Sequence, residues 1–314
     1  MKTSVQIFEI LEKDLLIVIT DFNGSDQTQR CLDALRASQD QHFKILVVDH
    51  GTDGRTQEML ATEYPEVIRI EGLPELWWTG ATNLGIRSAL TLGARAIMLL
   101  NNDCYVTPET LGTLRSLSQK HPDAIIAPIQ RDWRSGNITA ISPRSNFLLG
   151  FPTILGPRRW SSAMAAQAVL PVELIIGGRG VILPVSVFNC LGLFDEAVLP
   201  HYGADHDFYL RARKYNIPLY VATSAFVDID DTRTSAASYP EILNLRAFLH
   251  SLHDRRSHRN IQDVMALFRK HYPIPRLYLL GVALYLGRYF AVYLVKRMRL
   301  FIMVRKQSQG KIKG

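Results

Sequence analysis

Carboxylates, amides and glycines gather in short polar clusters along this 314-residue chain. The clusters are Thr20-Asp21-Phe22-Asn23-Gly24, Asp49-His50-Gly51-Thr52-Asp53-Gly54, Asn101-Asn102-Asp103, Asp205-His206-Asp207 and Asp228-Ile229-Asp230-Asp231. Taken alone, Asp49 and Asp53 suit turns and helix caps, and Asn101-Asn102-Asp103 suits a polar turn before a helix start at Thr107-Pro108-Glu109. Gly80, after Trp77-Trp78-Thr79, would let backbone approach a ligand closely. Two adjacent tryptophans are costly to expose, so they pack in a core or line a cleft. Arg179, between Gly178 and Gly180, is suited to a diphosphate oxygen. His206 has no partner at metal-ligand spacing and reads as a cleft-lining or surface residue.

What is missing narrows the chemistry. No GxGxxG follows the first apolar run and no GxxxxGK[ST] occurs, so dehydrogenase and P-loop readings lose their support. Cys31, Cys104 and Cys190 form no CxxC pair; neither a disulfide framework nor a zinc site is suggested, and a reducing compartment fits. Apolar residues are 47% and charged residues 21%, which excludes collagenous, low-complexity and polytopic membrane classes. The first 14 residues lack a continuous apolar stretch and a small-residue cleavage site, so export is not indicated. The net charge of +7 is unevenly placed: from Lys270 onward there are ten Lys or Arg and no Asp or Glu, against 26 bases and 29 acids before it. A mildly acidic body with a basic tail points to a surface-seeking C-terminus, not to nucleic-acid binding.

The elements that must position these clusters follow from the apolar pattern. Leu15 to Ile19 and Ile45 to Val48 read as buried parallel strands, joined by a helix that Asp26 would cap and that carries Cys31, Leu32 and Leu35 on one face. Val67 to Ile70 reads as a strand, Asn83 to Leu92 as a helix beginning near Ala81, and Ala96 to Leu100 as a further strand. Strands about 25 residues apart with helices between them imply a doubly wound α/β sheet, whose ligands sit outside the carboxyl ends of the strands. From about Ala127 the pattern is less regular, with Pro128, Pro143, Pro152, Pro157 and a basic-aromatic segment, Arg158-Arg159-Trp160. Leu174 to Ile176 reads as a strand, Asp205 to Lys214 as a helix, and Leu219 to Val221 and Ala225 to Val227 as two more strands.

Taken in order, these loops resemble an inverting glycosyltransferase of the GT-A fold, family 2, in the branch that includes bacterial rhamnosyltransferase-like enzymes. The resemblance runs from about Leu15 to Asp231. It implies an α/β, Rossmann-like, mostly parallel central sheet. The catalytic domain would be 1–240, with a nucleotide-sugar half 1–126 and an acceptor-facing half 127–240, followed by a helical, basic region 241–314. It also implies roles: Thr20 and Asn23 at the nucleotide, Asp49 accepting from the imide N3–H of a uracil or thymine, and Trp78, Gly80 and Asn83 along the donor cleft. Asn101 would meet the ribose, Asp103 would hold Mn2+ or Mg2+, and Arg179 would face the diphosphate. Asp228, where relatives place a metal-binding His, would be a second metal ligand. In the segment Gly203-Ala204-Asp205-His206-Asp207, Asp205 aligns with the catalytic base and Asp207 should point elsewhere along its helix; Ala204 departs from the family's usual Glu. The implied partners are a UDP- or dTDP-sugar donor and a glycan or lipid-linked acceptor of cell-envelope or exopolysaccharide synthesis.

Two apolar runs, Leu277 to Leu286 and Tyr289 to Val295, flank Arg288. Each alone is too short for a membrane span of about 20 residues, and a central Arg would cost roughly 2.5–3.5 kcal/mol. A helix lying among the anionic headgroups of the cytoplasmic membrane face is expected; the alternative is a helix packed on the catalytic domain or a dimer partner. Two other functions compete. A sugar-nucleotidyltransferase would need a Gly-rich, basic loop after the first strand, which Asp21-Phe22-Asn23-Gly24 does not provide. A non-catalytic membrane-surface binding module would explain Ala204 and Asn101.

Overall fold

The computed structural model describes residues 15–154, 162–233 and 244–310, with 162–163, 233 and 300–310 described by backbone alone. The first 14 residues, Arg158-Arg159-Trp160, Lys311 and Lys313 lie outside the described residues. The chain forms two compact units, one of residues 1–145 and 153–232, the other of 146–152 and 233–314.

In the first unit the apolar runs become strands because β-branched and leucine side chains fill both faces of a buried sheet. Every residue of β1, Leu15–Asp21, is buried. It pairs in parallel with β2, Phe43–Asp49, and β4, Ala96–Asn101; β2 pairs in parallel with β3, Ile68–Glu71. Next come β5, Cys104–Val106, β6, Ile125–Asp132, and β7, Ile138–Ala140. Two short strands, β8 (Arg144–Asn146) and β9 (Phe151–Ile154), form a separate ladder. The main sheet is completed by β10, Val169–Pro171, β11, Arg179–Pro184, and β12, Leu219–Ile229, giving the order β10-β12-β6-β11-β4-β1-β2-β3. The sheet is mixed: β11 runs antiparallel between β4 and β6, and β12 is parallel to β6. It follows that the last residues of β1, β2, β3, β4, β6 and β12 and the first residue of β11 share one sheet edge. Every polar cluster but one sits there by topology alone. The exception, Asp205-His206-Asp207, opens a helix.

Helices α1, Ser25–Arg36, α2, Arg55–Glu63, α3, Trp77–Thr91, and α4, Thr110–Lys120, connect the strands; α5, Val185–Leu191, and α6, Ala204–Lys214, follow β11. Several boundaries differ from the sequence reading. Asp26 lies in the first turn of α1 and not at its cap, because Asp21 reaches forward to the Gly24 N–H at 3.1 Å. Helix α3 begins at Trp77, which holds the turn itself at φ 52°, so Gly80 is a buried helical residue. Leu174 and Ile175 are buried without strand pairing, the strand falling at β11 instead. The two expected strands after Leu219 are one, with a register shift between Ala222 and Phe226.

The second unit holds α7, Leu245–Ser251, α8, Ile261–His271, and α9, Tyr278–Gly310, with Asn244 and Asn260 side chains accepting from the first-turn N–H groups of α7 and α8. Segment 146–152 belongs to it through Phe147, whose ring meets Phe268 at 5.1 Å, and Phe151, over which the Arg288 guanidinium lies at 3.7 Å. Arg288 therefore does not interrupt α9, and the stretch Pro275–Arg299 is long and apolar enough to cross a membrane. Val282, Tyr285 and Tyr293 are buried in the unit, while Leu279, Leu280, Leu284, Phe290, Leu294, Val295 and Met298 are exposed.

The site edge is tied together by Asp21, which is 0% exposed. Its carboxylate accepts from Gly24 N at 3.1 Å, Thr28 Oγ1 at 2.7 Å, Thr56 Oγ1 at 2.6 Å and Asn102 Nδ2 at 2.7 Å. One group thus joins the end of β1 to α1, α2 and the loop after β4. Each buried donor left without an acceptor costs about 1–3 kcal/mol, so Asp21→Ala should lower stability by at least about 3 kcal/mol in denaturant titration. Asp21→Asn, which sets an amide donor against these donors, should fail to restore it.

Candidate functional site

Most of the expected donor-side residues converge on this edge, but with a division of labour that the sequence did not show. In Asn101-Asn102-Asp103, Asn101 Oδ1 accepts from the Trp78 indole at 3.1 Å, and Asn102 bonds Asp21 and, at 3.0 Å, Thr28 Oγ1. Of the three, Asp103 alone brings a charge. Its carboxyl accepts from the weak donor Cys104 Sγ at 3.4 Å and has no ion-pair partner among the described residues. Burial raises its pKa, with the Arg179 charge opposing. A desolvated carboxylate beside few donors favours a cation.

At the end of β2, Asp49 accepts from Arg69 Nε at 2.8 Å and Gly51 N at 3.3 Å. Arg69 was not foreseen; the signal was a base between Ile68 and Ile70 in β3. The neighbouring loop is closed by Asn23, at φ 52°, whose amide accepts from Thr52 N at 2.7 Å and donates to Thr52 Oγ1 at 3.1 Å. A Cβ at Gly51 would lie 2.5 Å from Asn23 Oδ1, which is why that position has none. Asn23 is therefore a loop clasp, and Thr20 is nearly buried at the end of β1. His50 is buried against Phe22, its Nδ1 without a partner, and burial lowers its pKa.

Two donor-cleft expectations are corrected. Asn83 is buried, its amide donating to Phe194 O at 2.9 Å and accepting from Phe194 N at 3.1 Å, so it braces α3. Gly80 packs against Leu76 and Glu196, where a Cβ would meet both at 3.1–3.2 Å; it allows helix packing and does not form a turn over a ligand. Asp228 is also corrected as a metal ligand: Arg131 grips both its oxygens, at 2.8 and 3.0 Å. Asp53 pairs with Arg55 at 2.7 Å on the surface.

Arg179 stands where β11 shifts register against β4, with Gly180 at φ 80°. Such an irregularity re-aims the side chain. Its guanidinium donates to Gln130 Oε1 at 2.9 Å, and its charge acts on both Asp103 and His206.

The helix α6 start brings Asp205 to the same region. Its Oδ2 accepts from Gly177 N at 2.6 Å and its Oδ1 meets His206 Nδ1 at 2.9 Å; the two side chains are 13% and 15% exposed. His206 Nε2 meets the Thr153 hydroxyl. Burial alone would raise the Asp205 pKa and lower that of His206, but it is outweighed in both: for Asp205 by the His206 charge and these hydrogen bonds, which bring the pKa to about 2. For His206, burial is outweighed by Asp205, and the pKa rises. Asp207 is fully buried and pairs with Arg211 at 3.0 Å, so it is structural.

Among the described residues no three His, Cys, Asp or Glu side chains converge. One carboxylate still fits a cation that takes its remaining ligands from water and substrate phosphates, as Mg2+ commonly does.

The model of the family "Glycosyl transferase family 2" matches residues 16–173, half of the sequence. The chain belongs to glycosyl transferase family 2. This glycosyltransferase has the GT-A-like fold of its structural neighbours. GalNAc-T7, solved with UDP, GalNAc and Mn2+, superposes with a TM-score of 0.58 at 12% identity over 83% of this chain. The superposition spans 58% of the length of that structure. S. aureus TarS 1–349 with UDP superposes with a TM-score of 0.53 at 14% identity, covering 91% of each chain. The same protein with UDP-GlcNAc gives 0.53 at 12% identity, over 87% of this chain and 89% of that one. At such identities the likeness is one of fold. No curated protein sequence matches the glycosyltransferase.

The Asp205–His206 pair makes stability depend on pH. The depressed Asp205 contributes above its ordinary value of 3.8 and loses that contribution as pH falls toward 2; the raised His206 contributes below 6.5 and loses it as pH rises through its folded pKa. The difference in melting temperature between wild type and His206→Gln should therefore peak between about pH 4 and 6.5 and shrink by pH 9. A difference independent of pH would mean that the pair does not form.

Proposed function

We propose that this enzyme transfers a sugar, with inversion, from a UDP- or dTDP-sugar to a glycan or lipid-linked acceptor in cell-envelope or exopolysaccharide synthesis. The observation that carries the reading is the single sheet edge where Asp49 with Arg69, Asp103 and Arg179 stand in sequence around the end of β1. Asp49, held by Arg69, is suited to accept the imide N–H of a pyrimidine base. Arg179 is suited to diphosphate oxygens. Asp103 would hold Mn2+ or Mg2+, which, when bound, neutralises charge on the departing diphosphate. The solved relatives that bind UDP or UDP-GlcNAc support this donor class. Asp205, in the first turn of α6, would be the general base that takes the acceptor hydroxyl's proton. Within the family we read the loops as those of the rhamnosyltransferase-like branch. Family membership favours transfer over nucleotidyl chemistry and over a non-catalytic scaffold.

We further infer that the second unit brings the enzyme to the cytoplasmic face of an anionic membrane. The exposed leucines of α9 and the bases Lys296, Arg297 and Arg299 support that reading.

Two measurements test these proposals. In calorimetry, UDP with Mn2+ should bind wild type and lose at least about tenfold in affinity with Asp103→Ala, since a charge-assisted contact is worth about 1.5–3 kcal/mol; equal affinity would refute the metal assignment. Binding to anionic liposomes should be lost on truncation after His271 and should weaken with salt. Release by detergent alone would favour a spanning helix.

A further inference from the structure

The second unit holds a cation that its own neighbours do not neutralise. Arg288 lies midway along the apolar stretch Pro275–Arg299, its guanidinium 3.7 Å from the centre of the Phe151 ring, with Tyr285 at 5.6 Å and Tyr289 at 5.9 Å. Aromatic rings thus wall the group. Its Nη1 is buried and has no hydrogen-bond partner among the described residues. Neither α9 nor segment 146–152 contains an Asp or Glu, so the elements that carry these rings offer no carboxylate.

A second cation stands behind this cage. Arg259, 2% exposed, lies 5.1 Å over the Tyr289 ring. Its charge and that of Arg288 both act on the Tyr285 phenol, whose hydroxyl donates to His258 O at 3.2 Å. His258 adds no charge of its own, because burial and the Arg259 charge bring its pKa down to about 4. An arginine stays protonated at any working pH, and a desolvated charge is costly without a counter-ion. Among the described residues no carboxylate pairs with Arg288, so the counter-ion that suits the cage is a ligand's.

The surroundings of Arg288 point to the source of that anion. One turn to either side on the same face of α9, Leu284 and Val292 are exposed, and so is Val295. An anion held here meets apolar side chains on both flanks, which suits a phosphate joined to acyl chains better than a free one. A guanidinium meets phosphate oxygens with a planar fork of donors.

We propose that Arg288, with the rings of Phe151, Tyr285 and Tyr289, binds the phosphate of an anionic membrane lipid, Arg259 adding positive potential behind it. The proposal rests on the reading of α9 as a helix lying along the membrane surface, and it adds a site where Lys296, Arg297 and Arg299 supply only attraction. A helix in the headgroup region has its middle as well as its ends at phosphate depth, whereas a spanning helix does not.

The test uses the full chain and lipids short enough to stay monomeric, so that it does not depend on vesicle binding. In calorimetry, dihexanoyl phosphatidic acid below its micelle concentration should bind at least about tenfold more tightly than dihexanoyl phosphatidylcholine. Arg288→Gln should lose about tenfold or more in affinity for the phosphatidic acid. A Lys296→Gln/Arg297→Gln variant, which removes more charge from the same helix, should stay within about twofold of wild type, since screened surface charges contribute little. Arg288→Lys guards against loss of fold: it keeps the cation, should melt as wild type does, and should still bind less tightly for want of the planar fork. The proposal is overturned if phosphatidic acid binds no better than phosphatidylcholine, if both Arg288 variants bind it as wild type does, or if the Lys296→Gln/Arg297→Gln variant loses as much as Arg288→Gln. Inorganic phosphate binding as tightly as phosphatidic acid would overturn the lipid as the source. Binding of the short lipid through Arg288 without binding to anionic liposomes would overturn the membrane reading and leave the site standing.

Discussion

A buried carboxylate at the end of β1 sets the geometry of everything around it. Asp21 accepts from backbone or side chains of α1, α2 and the loop after β4, and none of its partners belongs to a ligand site. Its burial is tolerable only because every lone-pair direction meets a donor. With that group satisfied, the loops after β1 and β4 cannot drift apart, and Asp103 is presented one residue beyond a fixed point. Preorganisation of this kind is what a transferase needs, because a metal and a diphosphate must be met without rearranging the rim.

Around that knot, the charged groups sort by whether the protein itself has spent them. Asp228 is held by Arg131, Asp207 by Arg211 and Asp230 by Arg30 and Tyr105. Asp103 has no such partner among the described residues, and Arg179 bonds only a neutral amide through Nη1. Among the described residues of this edge, Asp103 and Arg179 are thus without an ion-pair partner, the pair that the proposed reading gives to a cation and a diphosphate. The Asp205–His206 couple is different again, since it is closed at both ends, by the Gly177 N–H on Asp205 and the Thr153 hydroxyl on His206 Nε2.

The sheet was legible in the sequence because its strands are short β-branched runs ended by polar residues, and topology then delivered those residues to one edge. Asp49, Asp103 and Arg179 reach that edge for the same reason, whereas Asp205 comes to it on a helix. What could not be read were partnerships across the fold. Nothing local shows that Asn83 bonds the Phe194 backbone, that Arg131 occupies Asp228, or that Asn101 and Asn102 face Trp78 and Asp21. The start of α3 was misplaced because a tryptophan, not the glycine, adopts the positive φ. Segment 146–152 joins the second unit through contacts of Phe147 and Phe151, which no shift in composition announces.

In the proposed site Asp103 is the metal ligand, while Asp228 is paired with Arg131. Anomalous diffraction from crystals grown with UDP and Mn2+ tests it most directly. The account predicts one manganese peak bound by Asp103 and the diphosphate, with the Arg131–Asp228 pair intact. Manganese on Asp228 with Arg131 displaced, or ordered UDP with no metal at Asp103, would contradict it.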